Sequence, residues 1–276
     1  MQELARQIGG TEVPGSALER AQELMYDAFE QTNPAKRIAL AHDALAICAD
    51  CADAYVLLAE EEADTVQRAL TYYEQGVAAG ERALGKEFFA ENVGQFWGIL
   101  ETRPYMRARH GLADALWRLN RKEDALAHYR EMLRLNPDDN QGIRYLLVDL
   151  LLQLGRDQEI ASLLNQYRDE WSAAWQYTRA LLAFREYGAS ARANKAIADA
   201  LEENPHVPAY LTGRKRIPNR LPELIGMGDE REAIAYAADH LNHWRQTGGA
   251  VEWVQAQSRA KPKPHRTSRP KHKSKR

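Results

Sequence analysis

The sequence predicts an all-α chain assembled from repeated helix-turn-helix units. Three observations carry that expectation. Apolar residues recur at helical spacing from Ser16 to about Val254, with Gly, Asn and Pro between the runs, and no stretch alternates in the manner of a half-buried strand. Two stretches match each other at a separation of 68 residues: Leu112, Ala113, Leu116, Ala125, Tyr129 and Pro137 stand opposite Ala180, Leu181, Phe184, Ala193, Ile197 and Pro205. Asn136-Pro137 and Asn204-Pro205 end the two stretches in the same way.

A separation of 68 is two periods of about 34 residues, the length of a tetratricopeptide repeat (TPR). The expected architecture is a TPR-like helical-repeat solenoid, a right-handed superhelix of helix-turn-helix units, with a C-terminal capping helix and a disordered basic tail. The elements follow in order. Residues 1–15 are polar and read as a flexible N-terminus. Ser16 and Glu19 have capping-box spacing and start a helix over about Ala17 to Gln31, which Asn33-Pro34 ends. A second helix through Ile38, Ala41, Ala44 and Leu45 completes one repeat. Ala52 to Glu62 and Val66 to Ala79 make another, so 16–80 forms the N-terminal repeats. Small residues stand where the two helices of a repeat approach, and Leu, Tyr and Phe fill the space beside them.

Residues 81–105 break the period with an insertion that holds Phe88, Phe89, Phe96, Trp97 and Tyr105, five of the chain's 23 aromatic residues. Two readings stand: an extra helix whose aromatics plug the repeat stack, or a lid that faces a ligand. Repeats resume over 106–205. The one at Gln141 to about Asp169 is degenerate, with Ile160 where the second helix should carry a small residue. In 206–256, His206-Val207-Pro208 is a rigid turn, and a helix over Asp229 to about Gln246 caps the stack and buries Trp244 and Trp253.

Composition limits the function. With 45% hydrophobic and 28% charged residues the chain has enough apolar material for a sizeable core. No apolar run approaches the roughly 18 residues that span a bilayer, and the N-terminus lacks the basic start and apolar stretch of a signal peptide, so no membrane partner and a cytoplasmic location are expected. The net charge of -2 hides a division: nine Lys or Arg and no acid from Arg259 onward, against 28 basic and 39 acidic residues before it. The tail, 257–276, carries Lys261, Lys263, Arg266, Arg269, Lys271, Lys273, Lys275 and Arg276 without a large apolar side chain, and is the candidate polyanion-binding segment. Arg214, Lys215, Arg216 and Arg220 form a second basic stretch, either a solvated loop or an anion site.

Catalytic patterns are missing. Cys48 and Cys51 have CxxC spacing but no second pair to complete a zinc site, and His240 and His243 lie one helical turn apart without an evident third ligand. There is no glycine-rich phosphate loop and no nucleophile motif. The sequence therefore reads as non-enzymatic, with no cofactor and no metal. In a TPR stack the first helix of each repeat lines the concave groove, which gives as partner-binding candidates Gln22, Tyr26 and Phe29; Val56 and Glu60; Arg107, His110, Asp114 and Trp117; Tyr145 and Asp149; and Thr178 and Arg185. This mixed set lacks the paired Lys, Asn and Arg that clamp a chaperone's C-terminal carboxylate. The expected partner is a peptide or helix of another protein; nucleic-acid or ribosome contact through the tail is the alternative.

Beyond Asn204 the chain reads NPHVPAYL and then GDEREAIAYAADHLNHWRQTGGAVEWV. These motifs resemble the C-terminal part of the suppressor-of-tumorigenicity-7 family, with its Asn-Pro-His-Val-Pro segment, Gly-Asp, Glu-Ala-Ile-Ala-Tyr helix, His-Trp and Gly-Ala. The match is specific over about Tyr167 to Val254. The YYEQGVAAGERALG and FWGILETRPYMRAR segments extend the resemblance to bacterial TPR proteins of this group. Animal members are membrane-associated and carry apolar spans that this sequence does not show. The resemblance implies a helical-repeat fold and supplies no catalytic residue.

Overall fold

A computed structural model describes residues 16–259; the segment 1–15, expected to be flexible, and residues 260–276 of the tail lie outside the described residues, while 257–259, expected to belong to the disordered tail, are the end of a helix instead. Among those described, every regular element is an α- or 3-10 helix and no strand occurs. No helix among them is long and apolar enough to cross a membrane. The chain divides into two compact units, Met1–Leu150 and Leu151–Arg276.

In the first unit α1 (Ala17–Glu30) pairs with α2 (Pro34–Ile47), α3 (Ala52–Glu61) with α4 (Val66–Leu84), and α6 (Arg103–Arg118) with α7 (Lys122–Leu135); α5 (Lys86–Glu91) and two 3-10 turns, Phe96–Gly98 and Leu100–Thr102, lie between α4 and α6. The local starts follow from the sequence. Ser16 Oγ accepts from Glu19 N at 3.1 Å while Ser16 N donates to Glu19 Oε2 at 2.6 Å, a complete capping box. Asn33 caps α2, whose first residue is Pro34. Between α6 and α7, Asn120 takes the left-handed conformation at φ 60, where the corresponding turn of the second unit uses Gly155 at φ 69. Asn is the non-glycine residue best suited to that region.

Small residues set the helix spacing, as expected. Ala21, Met25, Ala28, Ala41, Ala44, Ala54, Leu57 and Leu58 form one buried cluster across α1, α2 and α3. The α4 and α6 backbones approach closely: a Cβ on Gly80 would lie 2.8 Å from Tyr105 Cβ, and one on Gly76 3.1 Å from Ala108 Cβ. Gly80→Leu is expected to lower stability by about 1–3 kcal/mol despite its better helix propensity. A urea midpoint equal to wild type would show that α4 and α6 separate at no cost.

The insertion begins inside α4, which runs on to Leu84. Its aromatics pack on one another: Phe89 lies 5.0 Å from both Phe96 and Tyr105, and Phe88 6.2 Å from Phe96, centroid to centroid. Phe96 and Tyr105 are buried, and Phe88, Phe89 and Trp97 are half-buried. Thr102 Oγ1 donates to the Ile99 carbonyl at 2.7 Å and also meets that of Phe96, which ties the two 3-10 turns together.

Across the α6–α7 contact, Arg109 Nη1 lies 3.3 Å from His128 Nδ1. Burial, and then the Arg109 charge, push the imidazole down from 6.5 to about 4. Because the folded value lies below the unfolded one, the contribution of His128 is complete above about pH 6.5 and is lost as pH falls toward 4. His128→Gln is expected to reduce the stability difference between pH 7 and pH 4 by about 2 kcal/mol. Urea titrations at the two pH values check this, and an unchanged difference would remove His128 from the acid response.

The boundary between units falls within α8 (Ile143–Leu154), inside the stretch that the repeat pattern treats as one block. The second unit continues with α9 (Asp157–Gln166), α10 (Ala173–Tyr187), α11 (Ala191–Glu203), α12 (Val207–Leu211), α13 (Glu230–Gln246) and α14 (Ala250–Arg259). The C-terminal cover is thus two helices, where the sequence suggested one. Trp244 on α13 and Trp253 on α14 are both buried; Trp244 Nε1 donates to Tyr236 Oη and Trp253 Nε1 to Asn194 Oδ1, each at 2.8 Å.

Candidate functional site

Asp53, in the first turn of α3, is fully buried at 0% exposure. Arg107 on α6 grips it with two hydrogen bonds, Nε to Oδ1 at 2.8 Å and Nη2 to Oδ2 at 2.6 Å, and Gln22 on α1 donates to Oδ2 at 2.8 Å. The first helices of three successive hairpins are thereby joined by one carboxylate. Arg107 and Asp53 are 54 residues apart, the same separation as Leu112 from Leu58 and Ala113 from Ala59, so they hold matching places in successive repeats.

Beside this cluster opens a cavity of about 360 Å³, bounded by α1, the start of α3, the end of α4 and the start of α6. Its apolar lining includes Leu18, Tyr26, Leu84, Leu100, Pro104 and Tyr105. Tyr26 and Leu100 are 58% and 63% exposed, large apolar surfaces at its mouth. Four acids also line it: Glu19, Glu23, Asp50 and Glu101. Asp50 is paired with Arg82 at 2.7 Å and Glu19 is held by the α1 cap, while Glu23 and Glu101 are exposed and form no ion pair among the described residues. No Lys, Arg or His is among the lining residues. The arrangement offers apolar contact with a negative rim, and it contains no acid-base pair or nucleophile.

The other sequence candidates are distributed as follows. Phe29 and Glu60 are exposed on α1 and α3. Trp117 and His110 are half-buried, with ring centroids 6.2 and 6.4 Å from Tyr129, and burial lowers the His110 imidazole. Asp114 is exposed, 3.9 Å from Arg118. The Tyr145 ring lies under the Arg144 guanidinium at 4.5 Å, and Asp149 is half-buried. In the second unit Arg185 donates to Asp157 Oδ1 at 2.7 Å and Thr247 Oγ1 at 3.0 Å, and these bonds hold it within that unit. Val56 and Thr178 correct the groove register: both are buried, at 4% and 0% exposure, because α3 and α10 are packed by neighbours on several sides. The tail candidates from Lys261 to Arg276 lie outside the described residues.

Sequence reasoning missed Asp53, Glu23 and Leu100. The legible signal for Asp53 was its register match to Arg107. Glu23 and Leu100 gave none, since the insertion that supplies Leu100 interrupts the period. Burial pushes the Cys51 thiol up to about 11, which keeps it protonated and unreactive at neutral pH. His240 Nδ1 lies 3.1 Å from the Tyr236 carbonyl, and its ring stacks on that of Tyr236 at 4.4 Å. Among the described residues no three His, Cys, Asp or Glu side chains converge as metal ligands.

The family model described as ST7 protein matches residues 16–265. The chain belongs to the ST7 family. The suppressor of tumorigenicity 7 protein-like of Gallus gallus is 34% identical over 257 residues, which cover 85% of this chain and 46% of the relative. The Protein ST7 homolog of Drosophila melanogaster is 32% identical over 262 residues, 86% of this chain and 48% of the relative. The chain spans about half the length of the curated ST7 relatives it matches. Among solved structures, one titled "Crystal structure of YrrB: a TPR protein with an unusual peptide-binding site" is similar with a TM-score of 0.46 and 16% identity, covering 67% of this chain and 84% of that one.

The ST7 motif residues have a structural role. Glu232, buried, accepts from Ala173 N at 2.8 Å, Gly228 N at 2.7 Å and Asn204 Nδ2 at 2.9 Å. Asn204 also donates to the Asp229 carbonyl at 2.9 Å, and its own carbonyl accepts from Tyr177 Oη at 2.7 Å. The Asn-Pro and Gly-Asp-Glu segments therefore close the C-terminal part of the fold on itself.

Proposed function

We propose that this ST7-family chain is a non-enzymatic scaffold that holds a peptide or helix of a partner protein against the first helices of its N-terminal repeats. The observation that carries the reading is the cavity of about 360 Å³ with Tyr26 and Leu100 exposed at its mouth. Such a hollow accepts one or two apolar anchor side chains, and peptide recognition by helical hairpins rests on anchors of that kind. The negative rim favours a partner segment bearing Lys or Arg. The unbridged cysteines support action in a reducing compartment, which we take to be the cytoplasm.

Selection of a random displayed peptide library on the immobilised chain tests the proposal. Peptides enriched in an aliphatic or aromatic residue beside cations are expected, and Tyr26→Ala with Leu100→Ala should weaken them about tenfold. Peptides indifferent to that pair but weakened by Trp117→Ala with Tyr145→Ala would move the site to α6 and α8. Recovery of no binding peptide would reject the scaffold reading.

A further inference from the structure

The loop between α12 and α13 carries a set of exposed apolar side chains that the fold of the second unit does not use. Leu221, Leu224, Ile225 and Met227 are 44–76% exposed, with Leu224 the most. A run of this kind on a surface otherwise rich in charge marks a contact. It is flanked by cations: Arg214, Lys215, Arg216 and Arg220 are all exposed. Lys215 pairs with Glu230 and Arg220 with Glu223, while Arg214 Nε donates to Thr212 Oγ1 at 3.3 Å and Arg216 forms no ion pair among the described residues.

This loop has the complement of the cavity of the first unit. One is a protruding apolar segment with a positive flank; the other is an apolar hollow with a negative rim. Residues 1–150 contain 16 basic and 25 acidic side chains, an acidic excess of the same sign as the cavity rim. Both surfaces stand open in the single chain, with Leu100 at 63% and Leu224 at 76% exposure.

We infer that the cavity of one copy of this chain receives the 214–227 loop of a second copy. The inference rests on the reading of the cavity as a peptide-binding site and names one occupant for it. The contact is heterologous, since loop and cavity are different surfaces, so each bound copy still presents one free loop or one free cavity for the next. Association then proceeds head to tail, weakens with salt, and competes with any partner peptide for the same hollow.

Sedimentation velocity over a concentration series, in low and high salt, provides the test, with circular dichroism to confirm that every variant is folded. Wild type is expected to show a mass that grows with concentration in low salt and returns to the monomer in high salt. Glu23→Lys with Glu101→Lys, and separately Arg214→Glu with Arg216→Glu, should each weaken association about tenfold or more. Mixing those two variants should restore it, as should all four substitutions in one chain, because each reversed surface then meets an opposite one. A monomer at every concentration in low salt, or association that neither reversal alters, overturns the inference. So does a monomeric wild type whose loop instead binds vesicles of anionic phospholipid and loses that binding in Leu224→Asp. In each of these cases peptides from the displayed library still bind the cavity if the scaffold reading holds, so the two failures are told apart.

Discussion

Glu232→Ala is expected to lower the stability of the second unit by about 3–5 kcal/mol, enough to unfold much of it at 37 °C. Three donors, Ala173 N, Gly228 N and Asn204 Nδ2, lose their acceptor together in a site that water reaches poorly. Each unpaired buried donor costs about 1–3 kcal/mol, and local relaxation recovers part of the sum. The Ala173 amide is also one of the N-terminal donors of α10 that the helix itself leaves unmatched. Glu232→Gln retains one acceptor oxygen but turns an NH2 toward a donor, so a smaller loss of about 1–2 kcal/mol is expected. Urea unfolding followed by the fluorescence of buried Trp175, Trp244 and Trp253 reads the difference. A loss below about 0.5 kcal/mol for the alanine variant would show that the three donors find other partners.

Arg107→Leu should cost about 3 kcal/mol, whereas Asp53→Asn should cost less, and the asymmetry is the informative part. Asp53 is fully buried, so loss of its guanidinium partner leaves a carboxylate in the core with Gln22 alone. Arg107 is 38% exposed, so loss of Asp53 leaves a cation that water can reach. Joint replacement of Asp53 and Arg107 by Leu should recover part of the single-variant loss, since no unpaired charge remains. Equal losses for the two single variants, measured by chemical denaturation, would contradict this account. Because Arg107 ties α6 to the carboxylate that also holds Gln22 of α1, its removal should also weaken peptides bound at the neighbouring cavity, through position and without direct contact.

The fold was largely legible in the sequence because its signals are local. The Ser16–Glu19 cap, Asn33-Pro34 and the small residues Ala41, Ala44 and Ala125 each act within one hairpin, and the 68-residue match follows from their repetition. The site was less legible because its parts come from distant places. Leu18, Asp50 and Leu100 line one hollow only after the insertion folds back on α1, and no period reports that closure. Val56 and Thr178 fell on the wrong side of the register for a related reason. Helical spacing tells which residues share a face, but α3 and α10 are surrounded by neighbours, so little of their surface remains for a partner. The Asn204–Glu232 contact shows the opposite case: the motif is conspicuous, but its use as a structural clasp joins residues 28 apart in the chain, which no local pattern reports.

That clasp bears on how the molecule opens. In a plain helical array each repeat touches only its neighbours, and the last helix frays first. Here Ala173 is bonded to Glu232 and Asn194 to Trp253, each across 59 residues of chain. The C-terminal helices cannot leave without releasing the start of α10 and the body of α11. Slow amide hydrogens in α10, α11, α13 and α14 should therefore exchange together, as one cooperative block.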